Sequence, residues 1–139
     1  MTRLRTIAVG FDGSPDADAA VRWAMDVASQ TDADLAVVHA VGLLEHSADP
    51  AVAMRLEEAV LAMATERGID HARVHWHLVD GDPCSALLRV ADAPIVADLL
   101  VVGSRGQGAH AGLLLGSTSH ELAEHAAIPL VIVPRGQAG

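Results

Sequence analysis

Five short apolar runs alternate with amphipathic stretches, and this alternation constrains the fold more than any other feature. The runs lie at about residues 4–10, 35–40, 72–79, 97–103 and 129–133, and apolar residues recur at helical spacing between them. Because most of these strands are apolar on both faces, they predict a parallel sheet that is covered by helices on both sides. Right-handed crossovers then predict a doubly wound α/β fold. No linker or internal repeat divides residues 1–139, so we expect a single domain.

Local signals place the helix ends between these strands. Ser14 followed by Pro15 predicts the start of a helix over about residues 16–30, and Asp82 followed by Pro83 predicts another over about 83–93. A helix over about 51–67 is expected to end at Gly68. A last helix is predicted over residues 117–126. Within the first helix, the spacing of Trp23 predicts a core residue.

The composition excludes several function classes. The formal net charge is −9, and all nine basic residues are Arg, so neither nucleic acid nor an anionic membrane is an expected partner. The absence of Lys excludes a Walker A phosphate loop and Schiff-base chemistry. The single cysteine, Cys84, has no basic neighbour in sequence and is expected to be an inert buried thiol. With no signal-peptide or membrane-length apolar run, a cytoplasmic protein is expected.

A glycine-rich stretch follows the fourth predicted strand, in the segment VVGSRGQGAHAGLLLGSTS. Five glycines lie in residues 103–116, directly before a predicted helix. Glycines let successive backbone N–H groups converge on an anion, and the start of a helix adds unpaired N–H groups and a positive dipole end. Ser117 and Thr118 add hydroxyl donors. The stretch therefore predicts a phosphate-binding loop, although a flexible connection would also contain glycine.

Asp12 follows the first predicted strand and indicates a second part of the same site. In doubly wound sheets, ligands bind outside the carboxyl ends of the strands, where the strand order reverses. A carboxylate there can accept hydrogen bonds from both ribose hydroxyls, and it would repel phosphate. A simple turn or capping role for Asp12 is the alternative interpretation.

The glycine spacing resembles a known family. Gly103-x2-Gly106-x9-Gly116-Ser117 is similar to the ATP-binding pattern of the universal stress protein family. The segments AVGFDGSPDADAAVRWA, LAVVHAV, DLLVVGSRG and GSTSHELAEHAAIPLVIVPRG resemble that family's blocks in its order. The resemblance covers nearly the entire chain. It departs at Thr118, where many members of the family have Val, and one contact is therefore expected to differ.

The resemblance implies a strand order of 3-2-1-4-5 and an adenine nucleotide bound between the loops after strands one and four. Adenosine would lie near Asp12 and the backbone of Ala40, and the glycine loop would contact ribose and phosphates, with Mg²⁺ accompanying the phosphates. The candidate binding residues are Gly10, Phe11, Asp12, Ala40, Gly103, Arg105, Gly106, Gly108, His110, Gly116, Ser117 and Thr118.

The histidines have less specific interpretations. His75 and His77 share one face of the third strand, with His71 nearby, but no further metal ligand is evident in the sequence, so we expect no metal site. His110 could contact phosphate or face solvent. His39 ends the second strand, where we expect a structural role.

These patterns together predict an ATP-binding stress-response regulator that acts through nucleotide-dependent conformation or partner binding. The alternatives are an association module of the same fold that binds no nucleotide, and a slow ATP hydrolase. The resemblance also implies a homodimer. The fifth strand would lie at the sheet edge, and it is apolar on both faces, so we expect two copies to pair through Leu130, Val131, Ile132 and Val133.

Overall fold

The computed structural model describes residues 3–41, 49–104 and 116–134 and contains the predicted alternation of strands and helices. The elements are β1 (Thr6–Gly10), α1 (Pro15–Ser29), β2 (Asp34–Val41), α2 (Pro50–Glu66), β3 (Val74–Asp80), α3 (Pro83–Leu88), β4 (Leu99–Gly103), α4 (Ser117–His125) and β5 (Leu130–Val133). The five strands form one parallel sheet in the order β3-β2-β1-β4-β5. The predicted doubly wound α/β fold is therefore confirmed.

The core lies in two layers, one on each face of the sheet. Ile7 and Val9 of β1 face one layer, which also contains the buried side of α1 and residues of α2. Ala8, between them, faces the other layer, together with residues of α3 and α4. On β5, Val131 and Val133 pack on the first layer and Ile132 on the second, so alternation along the strand continues to the sheet edge.

Side chains cap the starts of the first three helices. The Ser14 hydroxyl accepts a hydrogen bond from the Ala17 amide at 3.2 Å, and Asp49 and Asp82 accept from amides in the first turns of α2 and α3. Each of these helices carries Pro in its first turn. The capping pattern read from the sequence therefore sets where α1 and α3 begin.

The third helix is shorter than predicted. The α-helix ends at Leu88 and continues only as a 3₁₀ turn over Arg89–Ala91. The amide of Ala97 then donates to the carbonyl of Val90 at 2.7 Å, which turns the chain back toward β4. Pro94 has no N–H and disfavours helical backbone at the residue before it, so the helix cannot reach residue 93.

The prediction that Trp23 is a core residue is wrong, because this side chain is 37% exposed on α1. The buried stripe of α1 is built from Ala17, Ala20, Val21 and Ala24, with Met25 and Ala28 extending it. At about 100° per residue, position 23 lies at the flank of that stripe, about 120° around the helix from Ala17. Helical spacing alone did not identify the buried face of α1, because small alanines form most of it.

No helix in the described part of the chain combines the length and the apolar character needed to span a bilayer.

Cys84, in the first turn of α3, is buried as expected. Burial raises the pKa of its thiol to about 11, and the neighbouring carboxylate of Glu121 on α4 adds to the effect. We expect the folded protein to react with iodoacetamide at pH 8 about a hundredfold more slowly than the urea-unfolded chain, since only the thiolate is nucleophilic. Mass spectrometry of quenched time points measures both rates. Equal rates in the folded and unfolded states would contradict this environment.

Candidate functional site

The carboxyl ends of β1 and β4 lie side by side and bring the two loops of interest to one edge of the sheet. Val9 of β1 is in register with Val101 of β4, and the strands end at Gly10 and Gly103. The strand on the other side of β1 is β2, so the order of connections reverses at this point. This is where doubly wound sheets bind ligands.

Asp12 forms the turn between β1 and α1. Its Oδ1 accepts a hydrogen bond from the Ser14 amide at 2.9 Å, and Gly13 between them has a positive φ of 81°. The turn role that the sequence allowed for Asp12 is therefore present. Asp12 is half-buried and lies two residues beyond the end of β1.

Phe11 supports this turn mainly through its backbone. Its ring is buried and makes an edge-on contact with Trp76, with centroids 6.5 Å apart. Its amide donates to the Val38 carbonyl at 2.9 Å, and its carbonyl lies 2.9 Å from Nδ1 of His39. Both backbone groups of Phe11 thus bond to the end of β2.

Ala40 lies two residues beyond the part of β2 that pairs with β1. The last pair in that register joins Gly10 with Val38, and the Val38 carbonyl accepts from the next residue of the β1 chain. Backbone groups along a parallel strand point alternately to its two neighbours, so those of Ala40 point in the same direction as those of Val38. The Ala40 amide and carbonyl therefore face the region beyond the end of β1, next to the Asp12 turn.

Gly103 lies against the backbone of α1. A Cβ on this residue would come within 2.6 Å of both the carbonyl carbon and the carbonyl oxygen of Asp16. Next to it, the Ser104 hydroxyl donates to Oδ2 of the buried Asp16 at 3.0 Å. The structure thus supplies a packing reason for glycine at position 103 that is independent of any ligand.

The two ends of the glycine loop are joined by a hydrogen bond. The Gly116 amide donates to the Ser104 carbonyl, and the Ser119 hydroxyl donates to the Gly103 carbonyl, both at 2.6 Å. These bonds hold the first turn of α4 against the end of β4. Four predicted site residues of this loop lie outside the described residues: Arg105, Gly106, Gly108 and His110.

The start of α4 differs chemically from the other helix starts. Its N-cap is Gly116, and within the described part of the chain no side chain caps its first turn. Ser117 is exposed and Thr118 half-buried at this position. The backbone amides of the first turn therefore point toward the end of the sheet without a capping carboxylate or hydroxyl from those residues.

The start of α1 is acidic in contrast. Asp16 and Asp18 occupy its first turn, and Asp12 lies just before it. Burial raises the pKa of Asp18; Arg22 opposes this rise, and the charge of Asp12 adds to it. Negative charge is therefore concentrated at the end of β1, whereas the helix that follows β4 begins at a glycine N-cap.

His75 of β3 lies toward the amino-terminal end of the neighbouring strand β2, away from this edge. His75 Nε2 lies 3.3 Å from Oδ2 of Asp34, the first residue of β2, while Asp12 follows the carboxyl end of the neighbouring strand. Burial lowers the pKa of His77, and the charge of His75 adds to the effect. In the described part of the chain, no three His, Cys, Asp or Glu side chains are grouped closely enough to hold a metal ion.

The sequence did not identify three residues of the site region, namely Asp16, Ser104 and His39. Asp16 and Ser104 are 88 residues apart, and His39 and Phe11 are 28 residues apart, so no local pattern links them. The one available signal was their position, since His39 and Ser104 lie at or just after the carboxyl ends of predicted strands and Asp16 begins the helix that follows one.

The sequence profile of the Universal stress protein family matches residues 3–134. The chain belongs to the universal stress protein family. A universal stress protein of Thermus aquaticus is 35% identical over 136 residues, which cover 94% of this chain and 98% of the relative. A Mycobacterium tuberculosis universal stress protein is 36% identical over 148 residues, which cover 91% of this chain and 46% of the relative. The chain spans about half the length of the first curated universal stress proteins that it matches.

A solved universal stress protein has the same fold. Its crystal structure, a complex with cAMP, superposes on this chain with a TM-score of 0.78 at 30% identity, and the match covers 97% of this chain and 100% of the other. The family and the strand order expected from the resemblance are thus both confirmed.

The contact between Gly103 and Asp16 leads to a stability prediction. Gly103→Ala should lower the free energy of unfolding by about 1–3 kcal/mol, because the added methyl group meets backbone atoms that cannot rotate away. Gly10→Ala is the matched control at the end of the adjacent strand, where the methyl group meets the flexible tip of Leu87 at 3.0 Å. We expect that control to change stability by less than about 1 kcal/mol in urea denaturation. Equal effects of the two substitutions would contradict the proposed packing constraint.

Proposed function

We propose that this universal stress protein binds ATP at the carboxyl edge of its sheet and acts as a nucleotide-dependent regulator. The observation that carries the proposal is the convergence of three features at that edge: the Asp12 turn, the Ala40 backbone and the start of α4, whose N-cap is Gly116. A family member of the same fold that binds cAMP supports an adenine nucleotide as the ligand class. Because ATP is an intracellular ligand, the proposal places the protein in the cytoplasm.

In this arrangement, Asp12 accepts hydrogen bonds from the ribose, and the Ala40 backbone contacts adenine. An adenine ring offers one donor and one acceptor side by side on an edge, which a strand's N–H and C=O groups complement. Gly10 is the last residue of β1 and precedes this turn, and the buried Phe11 anchors the turn to the core.

The phosphates lie toward α4 in the proposal. Gly103, Gly106, Gly108 and Gly116 allow the loop backbone to approach them, while Arg105, His110, Ser117 and Thr118 supply side-chain donors. Mg²⁺ accompanies the phosphates as their counter-ion, because it keeps several of its waters and does not need a site built wholly from protein ligands. The segregation of charge between the starts of α1 and α4 supports this orientation over the reverse.

Two conservative variants test the orientation. Asp12→Asn keeps a carbonyl oxygen for the Ser14 amide and so preserves the turn, but it loses the charged acceptor. It should weaken ATP and AMP alike by about ten- to a hundredfold, because both ligands carry the ribose. Ser117→Ala should weaken ATP more than AMP. Isothermal titration calorimetry of nucleotide-free protein, with and without Mg²⁺, measures these affinities.

The control for this experiment is Ser29→Ala, which removes a hydroxyl at the far end of α1 and should leave both affinities unchanged. Wild-type protein that binds neither nucleotide would overturn the proposed function. If Asp12→Asn and Ser117→Ala had the same effect on both ligands, the placement of the sugar and phosphate ends would be wrong.

The proposal includes a homodimer built on β5. This strand pairs with β4 and forms one edge of the sheet, where Leu130, Val131 and Ile132 are only partly buried within one chain. Two such edges can pair antiparallel about a two-fold axis, which closes the interface. Regulation would then act on a dimer that carries two nucleotide sites.

Ile132→Lys should convert the dimer into monomers, because the charge would enter an apolar interface. Leu78→Lys is the matched control on β3, the opposite edge strand, where Leu78 is 54% exposed. It should leave the dimer intact. Multi-angle light scattering across a dilution series measures both masses against the 14.4 kDa chain. A monomeric wild type, or a monomeric Leu78→Lys variant, would contradict an interface on β5.

A further inference from the structure

We propose that His39 is a positioning residue for nucleotide binding, because it holds the Phe11 carbonyl and thereby sets the place of Asp12. This inference rests on the proposed function, since it assigns a role in that site to a residue which does not itself need to touch the ligand. The side chain is 4% exposed, and its Nδ1 lies 2.9 Å from the Phe11 carbonyl oxygen.

The hydrogen bond determines that Nδ1 of the ring carries a proton. A carbonyl oxygen can only accept, so Nδ1 of His39 carries the proton and donates it. In the neutral imidazole, Nε2 is then an acceptor. This atom is buried and has no hydrogen-bond partner among the described residues. A buried polar atom without a partner destabilises the folded state, and an apolar side chain would avoid that cost. The bond to Phe11 is therefore the property of His39 that an apolar residue could not replace.

The position of the ring is set by its neighbours. Trp76 of β3 stacks on His39 with ring centroids 5.9 Å apart and an interplanar angle of 25°. The same Trp76 contacts the ring of Phe11 edge-on. Phe11 is thus held at its ring, its amide and its carbonyl by elements β2 and β3, and Asp12 is the next residue along the chain.

Three substitutions separate this role from simple core packing. His39→Asn places an amide nitrogen close to the position of Nδ1 and can still donate to the Phe11 carbonyl. His39→Leu fills the core but cannot donate. Val37→Ala is the matched control, because Val37 lies two residues earlier on the same face of β2 and is fully buried, so its truncation costs stability but removes no hydrogen bond to Phe11.

We expect His39→Leu to weaken ATP about three- to tenfold, the range that one lost hydrogen bond accounts for. His39→Asn should stay within about twofold of the wild type, and Val37→Ala should bind like the wild type in spite of a lower midpoint of urea unfolding. Wild-type affinity in His39→Leu, or an equal loss in Val37→Ala, would overturn the proposal. If the Leu variant does not fold, His39→Gln replaces it in the comparison. The Gln amide lies one carbon further from the backbone than the Asn amide and so is displaced from the position of Nδ1. Equal ATP affinities of the Asn and Gln variants would then overturn the proposal.

Hydrogen exchange in nucleotide-free protein provides a readout that does not depend on the ligand. The amides of Phe11 and Ser14, which bond to the Val38 carbonyl and to Asp12, should exchange faster in His39→Leu than in Val37→Ala once global stability is accounted for. Equal exchange in the two variants would show that His39 does not position the turn. If the wild type binds no nucleotide, the proposed function fails, and this comparison still decides whether His39 orders the Asp12 turn.

Discussion

The close contact between the end of β4 and the first turn of α1 is the constraint on which the candidate site depends. Gly103 permits it, because any larger residue would place Cβ within 2.6 Å of the Asp16 backbone. The Ser104 hydroxyl then bonds to the Asp16 carboxylate, and the Ser104 carbonyl accepts from the Gly116 amide. One residue, Ser104, therefore connects the starts of α1 and α4. A shift of α1 relative to β4 would move the Asp12 turn and the start of α4 relative to each other.

The parts of the fold that could be predicted from the sequence are those with a local physical cause. Strands buried on both faces are apolar throughout, so β1, β2 and β4 were evident as runs, and Ser14 and Asp82 begin helices because their side chains reach amides a few residues away. The strand order is different, since nothing local dictates which strands become neighbours. It was obtained from the family resemblance, and the register confirms it.

The site was only partly predictable for the same reason. Asp12 could be placed at the end of β1 by its position, whereas the contacts of Asp16 with Ser104 and of His39 with Phe11 arise only when distant segments meet. Gly103 illustrates a second difficulty. A phosphate-binding loop and close packing against α1 would both require glycine at this position, so the sequence alone does not distinguish the two causes. Trp23 shows a limit of helical periodicity. The periodicity predicts that a helix has a buried face, but it does not reliably predict which residues form that face, particularly when they are alanines.

The distribution of charge is compatible with the proposed nucleotide site even though the chain as a whole is acidic. The net charge of −9 opposes any phosphate in general, and Asp12, Asp16 and Asp18 concentrate part of that charge at the start of α1. Placing phosphate there would add repulsion to a region where burial and Asp12 already raise the pKa of Asp18. The start of α4 has its amides and dipole directed at the same edge, with glycine as its cap. The proposed orientation, with the sugar toward α1 and the phosphates toward α4, keeps the phosphates away from the carboxylates of α1 and next to the amides of α4.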